Sequence, residues 1–281
     1  MGGQIDLHIH TTASDGTDSP RQAVELAHGL GLRAVAITDH DTVAGIDEAM
    51  AAGAALGLEV VAGIEVSADY RGDEVHILGL FIDPASAALR PVLTWAVEAR
   101  QTRNRRMVRA LADDGFDISL EALEEEFPGA VLGRPHMAEH LVKKGCAASI
   151  TEVFDRWLGQ GRPYYRPREY MKMERAVQVI REAGGVAVLA HPLQYGYDRD
   201  GLETFVRRGR EIGCAGLEVY YSTYGEKEQA MLQALADRYG LAVSGGSDYH
   251  GGRKPHIQMG SGVDGSLAVP YGVLEGLKER R

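Results

Sequence analysis

The chain has 281 residues, of which 44% are hydrophobic and 25% charged, with a formal net charge of −10. These values exclude a disordered or fibrous chain, and the acidic balance argues against broad binding to duplex DNA, a polyanion it would repel. Two cysteines, Cys146 and Cys214, stand outside any C-x-x-C spacing, so neither a disulfide scaffold nor a thiolate zinc site is expected. No apolar run approaches the ~20 residues of a membrane span, and a cytoplasmic location with no membrane partner is the expectation.

In chain order, residues 4–11 alternate Ile5, Leu7 and Ile9 with Asp6, His8 and His10, the period-2 pattern of a strand with one apolar and one polar face. A helix is expected from Pro20 with Ser19 as its N-cap, then a compact apolar strand over 32–38, a helix over 45–56, and strands over 59–66 and 74–82. Residues 91–175 have another character: they carry 14 Lys and Arg against 13 Asp and Glu, while the rest of the chain carries 16 against 27. Four helices are expected there: a long one over 91–113, one over 120–126, one from Pro135 to Gly145, and one capped by Ser149 with Glu152 three residues on. Helix and strand alternation then resumes, with strands over 186–190, 216–221 and 241–244 and helices over 174–183, 201–212, 226–239 and at the end. The expected fold is α/β: a closed or nearly closed parallel barrel from residues 1–90 and 176–281, with an open doubly wound sheet as the alternative, and a helical insertion, 91–175, as a lid.

The polar residues recur where such a barrel would gather them. His8 and His10 leave one face of a strand. Asp15 follows that strand, His40 the second, Glu65 lies near the end of the third and His76 on the fourth, while His191, Asp248 and His250 follow later strands. Nine imidazole and carboxylate groups converging on the C-terminal mouth exceed what one tetrahedral ion needs, so two or three divalent metals are expected. Glu65 could bridge two of them and keep both close enough to activate one water. Such mixed ligands suit manganese, iron or zinc.

The runs Asp6-Leu7-His8-Ile9-His10-Thr11, Ser14-Asp15-Gly16, Thr38-Asp39-His40-Asp41, Gly63-Ile64-Glu65, His76, Ala190-His191-Pro192 and Gly246-Ser247-Asp248-Tyr249-His250 resemble the PHP family, named for polymerase and histidinol phosphatase. The resemblance implies a distorted (β/α)7 barrel, a trinuclear metal centre, manganese being the preferred ion, and phosphoester hydrolysis. It implies one metal on His8, His10, Glu65 and Asp248, a second sharing Glu65 with His76 and His191, and a third on Asp15, His40 and His250. The insertion, with Gly133-Arg134-Pro135-His136, resembles the subgroup of nucleoside 3′,5′-bisphosphate phosphatases that also trim short RNA from the 5′ end.

In the long helix, Arg100 and Asn104 interrupt the apolar stripe of Leu93, Val97, Val108 and Leu111. An arginine stem along the core explains this blandly; the sharper reading is that Arg100, Asn104 and Arg103 face a cleft and hold a substrate phosphate. Arg134, at a helix start, suits an anion, and His136 is placed to reach phosphate. Arg162, Arg166, Arg168 and Lys172 read first as a solvated cluster, and His28 and His256 as exposed or structural. His136-Met137-Ala138-Glu139-His140 spells an inverted zinc-protease pattern, which leaves the nine barrel positions unexplained. Tyr164-Tyr165 could stack a base or pack the lid.

The expected reaction is removal of the 3′-phosphate from a nucleoside 3′,5′-bisphosphate, or attack on short 5′-phosphorylated RNA, with Asp248 as the group that moves the proton and with no obligate protein partner. The alternatives are histidinol-phosphate hydrolysis, whose substrate would call for an acidic amine pocket rather than arginines, and a noncatalytic metal-binding module.

Overall fold

The computed structural model describes residues 4–281; residues 1–3 of the first expected segment lie outside it. Strand β1 (Gln4–Ile9) pairs in parallel with β2 (Ala34–Ile37), and β2 with β3 (Glu59–Tyr70). The joining helices are α1 (Pro20–Gly29) and α2 (Ile46–Leu56). Ser19 caps α1 reciprocally with Gln22, as the sequence suggests, and Pro20 occupies the first turn, where its missing N–H costs nothing.

The fourth strand departs from expectation. β4 (Asp73–Leu80) runs antiparallel both to β3 and to β6 (Val186–Leu189), so the barrel is not wholly parallel. The cause is local: only Arg71 and Gly72 separate β3 from β4, both at positive φ, which makes a tight hairpin instead of a crossover. The hairpin also lengthens β3 to Tyr70, four residues past the expected end.

Parallel pairing resumes from β6 to β7 (Gly216–Tyr221) and β8 (Ala242–Gly246), with α7 (Met173–Glu182), α8 (Arg199–Ile212) and α9 (Glu226–Tyr239) outside. The two ends of the sheet then meet. Asp248 N–H donates to the His8 carbonyl at 2.9 Å and His10 N–H to the Tyr249 carbonyl at 2.9 Å. Gly246 makes this approach possible, because a Cβ there would lie 2.4 Å from the His8 backbone nitrogen. The result is a nearly closed, distorted barrel. Short strands β5 (Met171–Lys172) and β9 (Val269–Pro270) extend it beside β3 and β1, and α10 (Tyr271–Lys278) buries Leu274 and Leu277 with Ile5 and Val188.

The insertion comprises α3 (Leu89–Asp113), α4 (Leu120–Glu126), α5 (Arg134–Lys143), α6 (Ile150–Val153) and a π-helical turn at Phe154–Leu158. Met107, Leu111, Leu123, Met137, Leu141 and Val153 form its own core. The start of α3 belongs elsewhere: Leu89 and Val92 pack with Ile77, Val179 and Ile180 of the barrel. The sequence boundaries at 91 and 175 therefore fall inside α3 and α7. No helix among the described residues is long and apolar enough to cross a membrane.

Candidate metal centre

Each of the nine sequence-flagged residues reaches one cluster at the barrel mouth. His8 and His10 come from β1 and the residue beyond it, His40 follows β2, Glu65 lies on β3, His191 follows β6, and Asp248 with His250 follows β8. His76 arrives from the start of β4, opposite Ser67, because reversal of that strand brings its N-terminal half to the mouth. Asp15 is brought back toward His10 by a turn in which Gly16 packs on the His10 carbonyl, where a Cβ would stand only 2.3 Å from the oxygen.

The ligand atoms fall into four overlapping groups, each within 4.8 Å: His10, Asp15, His40 and His250; His8, Glu65 and His191; His8, His10 and Asp248; and His40, Glu65 and His76. Glu65 is common to two of them. Its Oε1 lies 2.9 Å from His76 Nδ1 and 3.0 Å from His191 Nε2, and these two ring nitrogens are 3.3 Å apart. Its Oε2 lies 3.2 Å from His10 Nε2 and 2.9 Å from His40 Nδ1. Atoms held around one ion at ~2.1 Å sit about 3.0–3.4 Å from each other, so this spacing fits coordination. The hydrogen bonds give the same answer: His8 Nε2, both His10 nitrogens, His40 Nδ1 and Glu65 Oε2 are buried with no hydrogen-bond partner among the described residues. Buried polar atoms left so are costly unless something else satisfies them, and divalent cations fit these donors.

Above the cluster a cavity of about 800 Å³ opens between the barrel and the insertion. Arg100, Arg103, Arg134 and Arg168 line it, and Lys254 stands at the metal end. Asp41 is buried at φ 55° and anchored through Oδ1 to the Ser67 N–H; its Oδ2 takes Arg100 at 2.7 Å and Arg168 at 3.0 Å. Burial would raise the Asp41 carboxyl, but the two guanidiniums hold it well below the usual carboxylate range. Glu74 lies 3.6 Å from Arg134 and 3.8 Å from Arg168, and against His76 Nε2. Arg103, only 3% exposed, meets no carboxylate among the described residues; its Nε donates to Asn104. Burial and the other three arginines push Arg103 down to about 9. Arg253, Lys172 and Lys254 join these four arginines in the lining against Asp15, Asp69, Asp73, Glu74 and Glu169, so cations outnumber carboxylates seven to five, a modest surplus that suits an anion.

Asn104 and His136, expected at the cleft, are not among the residues lining this cavity. The Asn104 carboxamide donates to the Leu132 carbonyl and accepts from Arg103. His136 Nδ1 accepts from the Gly133 N–H at 2.9 Å, and its ring packs edge-on against Phe127. His140 meets Glu126, and Glu139 meets Arg253 and Lys143, so the protease-like pattern does not converge. Arg168 corrects the solvated reading of its cluster, its side chain being 3% exposed, whereas Arg162 and Lys172 are at the surface. Tyr165 lines the cavity, and Tyr164 bonds Asp114 instead. His28 and His256 are exposed.

Sequence reasoning missed Asp41, Glu74, Glu218 and Lys254. Asp41 was visible within Thr38-Asp39-His40-Asp41, but nothing in its spacing pointed to arginines 59 and 127 residues away. Lys254 Nζ bonds Asp248 Oδ2 at 2.8 Å, and the Tyr221 hydroxyl donates to the same oxygen at 2.8 Å.

The chain matches the PHP domain family over residues 6–183. The 3′,5′-nucleoside bisphosphate phosphatase of Chromobacterium violaceum is 36% identical over 250 residues, covering 88% of this chain and 87% of its own. The 5′-3′ exoribonuclease Rnm of Salmonella typhimurium is 35% identical over 270 residues, 95% of this chain and 90% of its own. The phosphoribosyl 1,2-cyclic phosphate 1,2-diphosphodiesterase of Eggerthella lenta is 37% identical over 258 residues, 90% of this chain and 97% of its own. A solved structure of an amidohydrolase from Chromobacterium violaceum, holding sulfate and no metal, superposes with a TM-score of 0.88 at 32% identity, covering 99% of this chain and 97% of that one. The noncatalytic reading is thereby set aside: the chain belongs to the PHP domain family of metal-dependent phosphoesterases and is itself a hydrolytic phosphoesterase.

Proposed function

We propose that this phosphoesterase removes the 3′-phosphate from nucleoside 3′,5′-bisphosphates and admits short 5′-phosphorylated RNA to the same cavity. The observation that carries the reading is one cavity with two anion-holding groups, the His, Asp and Glu cluster and, beside it, the four arginines. A substrate with a single phosphate uses only one of them. Histidinol phosphate would set its ammonium beside guanidiniums, which is unfavourable.

In this reading His8, His10, Asp15, His40, Glu65, His76, His191, Asp248 and His250 hold two or three divalent ions, manganese being favoured and iron or zinc compatible with the donors. Such ions, when bound, neutralise phosphoryl oxygens and make water a competent nucleophile near pH 7. The protein's own contribution is orientation. Arg100 and Arg168, pinned by Asp41, and Arg103 and Arg134 hold the phosphate that does not react. Asp248 serves as a ligand; both donors to its Oδ2 would have to give way before it took a proton there, and Lys254 holds its carboxyl well below the usual range although burial opposes this. The insertion, residues 91–175, acts as a cover that excludes water from the reacting end.

The test is product analysis in manganese and in chelator, following released phosphate from adenosine 3′,5′-bisphosphate, AMP, histidinol phosphate and phosphoribosyl 1,2-cyclic phosphate, and released mononucleotide from a 5′-phosphorylated tetranucleotide. Manganese-dependent conversion of the bisphosphate to AMP, with AMP spared, supports the proposal. Faster turnover of the cyclic diester or of histidinol phosphate would overturn the substrate and leave the centre.

A further inference from the structure

Glu218, on β7, is fully buried, and among the described residues its salt-bridge partner is His8 alone. Its Oε1 lies 3.0 Å from His8 Nδ1, and its Oε2 accepts the His191 backbone N–H at 2.6 Å. A carboxylate there, having no proton to give, would accept from Nδ1 of His8 and leave the lone pair of its Nε2 aimed at the cluster. That Nε2 stands 3.4 Å from Glu65 Oε1 and 3.6 Å from Asp248 Oδ1, with no hydrogen-bond partner of its own. The second contact acts on the backbone. His191 holds φ 27° and ψ 57°, a conformation a non-glycine residue rarely adopts, and its N–H points at the same carboxylate.

We infer that Glu218 is a positioning residue of the metal centre, setting the tautomer of His8 through one oxygen and the seat of His191 through the other. It touches neither ion nor substrate. One carboxylate therefore orients two of the donors that flank Glu65, from strands β1 and β6 on either side of the barrel's seam and its reversed strand. The negative charge also strengthens the His8 imidazole as a donor. A glutamine cannot substitute: if its oxygen accepts from His8, its amide nitrogen faces the His191 N–H, donor against donor. The inference rests on the ligand set proposed above.

The experiment is titration of chelator-stripped protein with Mn²⁺, parent against Glu218→Gln, followed calorimetrically. Manganese affinity is expected to fall 10–100-fold in the variant, the usual effect of removing such a partner. Affinity within threefold of the parent would overturn the inference and leave the ligand set standing; failure of the parent itself to bind Mn²⁺ would overturn both. A measurement that needs no variant protects against a misfolded one. In zinc-loaded parent protein labelled with ¹⁵N-histidine, the His8 ring is expected to carry its proton on Nδ1 with Nε2 metal-bound, and a proton on Nε2 would sink the inference.

Discussion

A guanidinium buried without a carboxylate among the described residues, as Arg103 is, costs folded-state stability, which binding of the proposed substrate phosphate would offset. Arg103→Met keeps the stem volume and removes the charge. Its unfolding midpoint should be unchanged or higher, while kcat/KM for the bisphosphate falls 10–100-fold; a midpoint lower by more than 5 °C would mean the guanidinium is structural instead. Glu65→Ala removes a carboxylate that faces five histidines. It should reduce kcat on every phosphomonoester by at least about 10³-fold and lower the manganese stoichiometry, read by metal analysis alongside initial rates. Ligands such as His8, His40 and Asp248 were legible because each lies near the C-terminal end of a strand or shortly beyond it, where local pattern announces position. Glu218 was not, since one acidic residue in an apolar strand has no short-range signature, and its partners lie 210 and 27 residues away.

At the scale of elements, α5 shows how a cap can be pH-sensitive. His136 accepts from the Gly133 N–H and so must stay neutral at Nδ1; burial first, then the charge of Arg253, pushes it down to about 4. Its folded value lies below the ordinary value of 6.5, so its contribution is fully present above pH 6.5 and is lost as pH falls through 4. That contribution is on the order of 3 kcal/mol. His136→Gln keeps an acceptor at the third helical position and has nothing to titrate. Denaturant unfolding of both proteins between pH 4 and 7 should show the parent losing more stability on the acid side; parallel curves would refute the assignment. Element positions were legible from periodicity, and α4, β7 and α9 fall at the expected residues. The direction of β4 was not, because periodicity carries no sign, and the two-residue Arg71-Gly72 link was the clue to an antiparallel pair.

For the whole molecule, the centre and the insertion share one electrostatic ledger. Without cations, Asp15, Glu65 and Asp248 crowd the barrel mouth, so saturating manganese should raise the unfolding temperature; at a hundred times Kd the gain is about 2.7 kcal/mol. A thermal scan with and without chelator reads it, and no shift would contradict a centre built from these groups. Salt should act on binding more than on turnover, because the arginine end attracts through charge. KM for the bisphosphate is expected to rise severalfold between 50 and 500 mM salt with kcat nearly constant. The insertion is bound to the barrel by Arg253, which bonds both Glu139 and the Gly16 carbonyl, and by Val131 N–H on the Ala13 carbonyl.

The reversal of β4 has a mechanical corollary. Because that strand ends at the base of the barrel, where Ile82 and Asp83 bond Ala62 and Ala183, α3 starts there and climbs to the mouth as one unbroken rod of 25 residues, about 37 Å long. Its foot is clamped in the barrel by Leu89 and Val92, and its far end is built into the insertion by Met107 and Leu111. Were the insertion to move, this rod would act as a lever with its fulcrum at the foot. A tilt of about 5° at the foot carries the tip about 3 Å, and carries Arg100 and Arg103, some 17–21 Å up the rod, about half as far. The two guanidiniums stand at mid-span, where the Arg100 bond to Asp41 ties the rod to the barrel a second time.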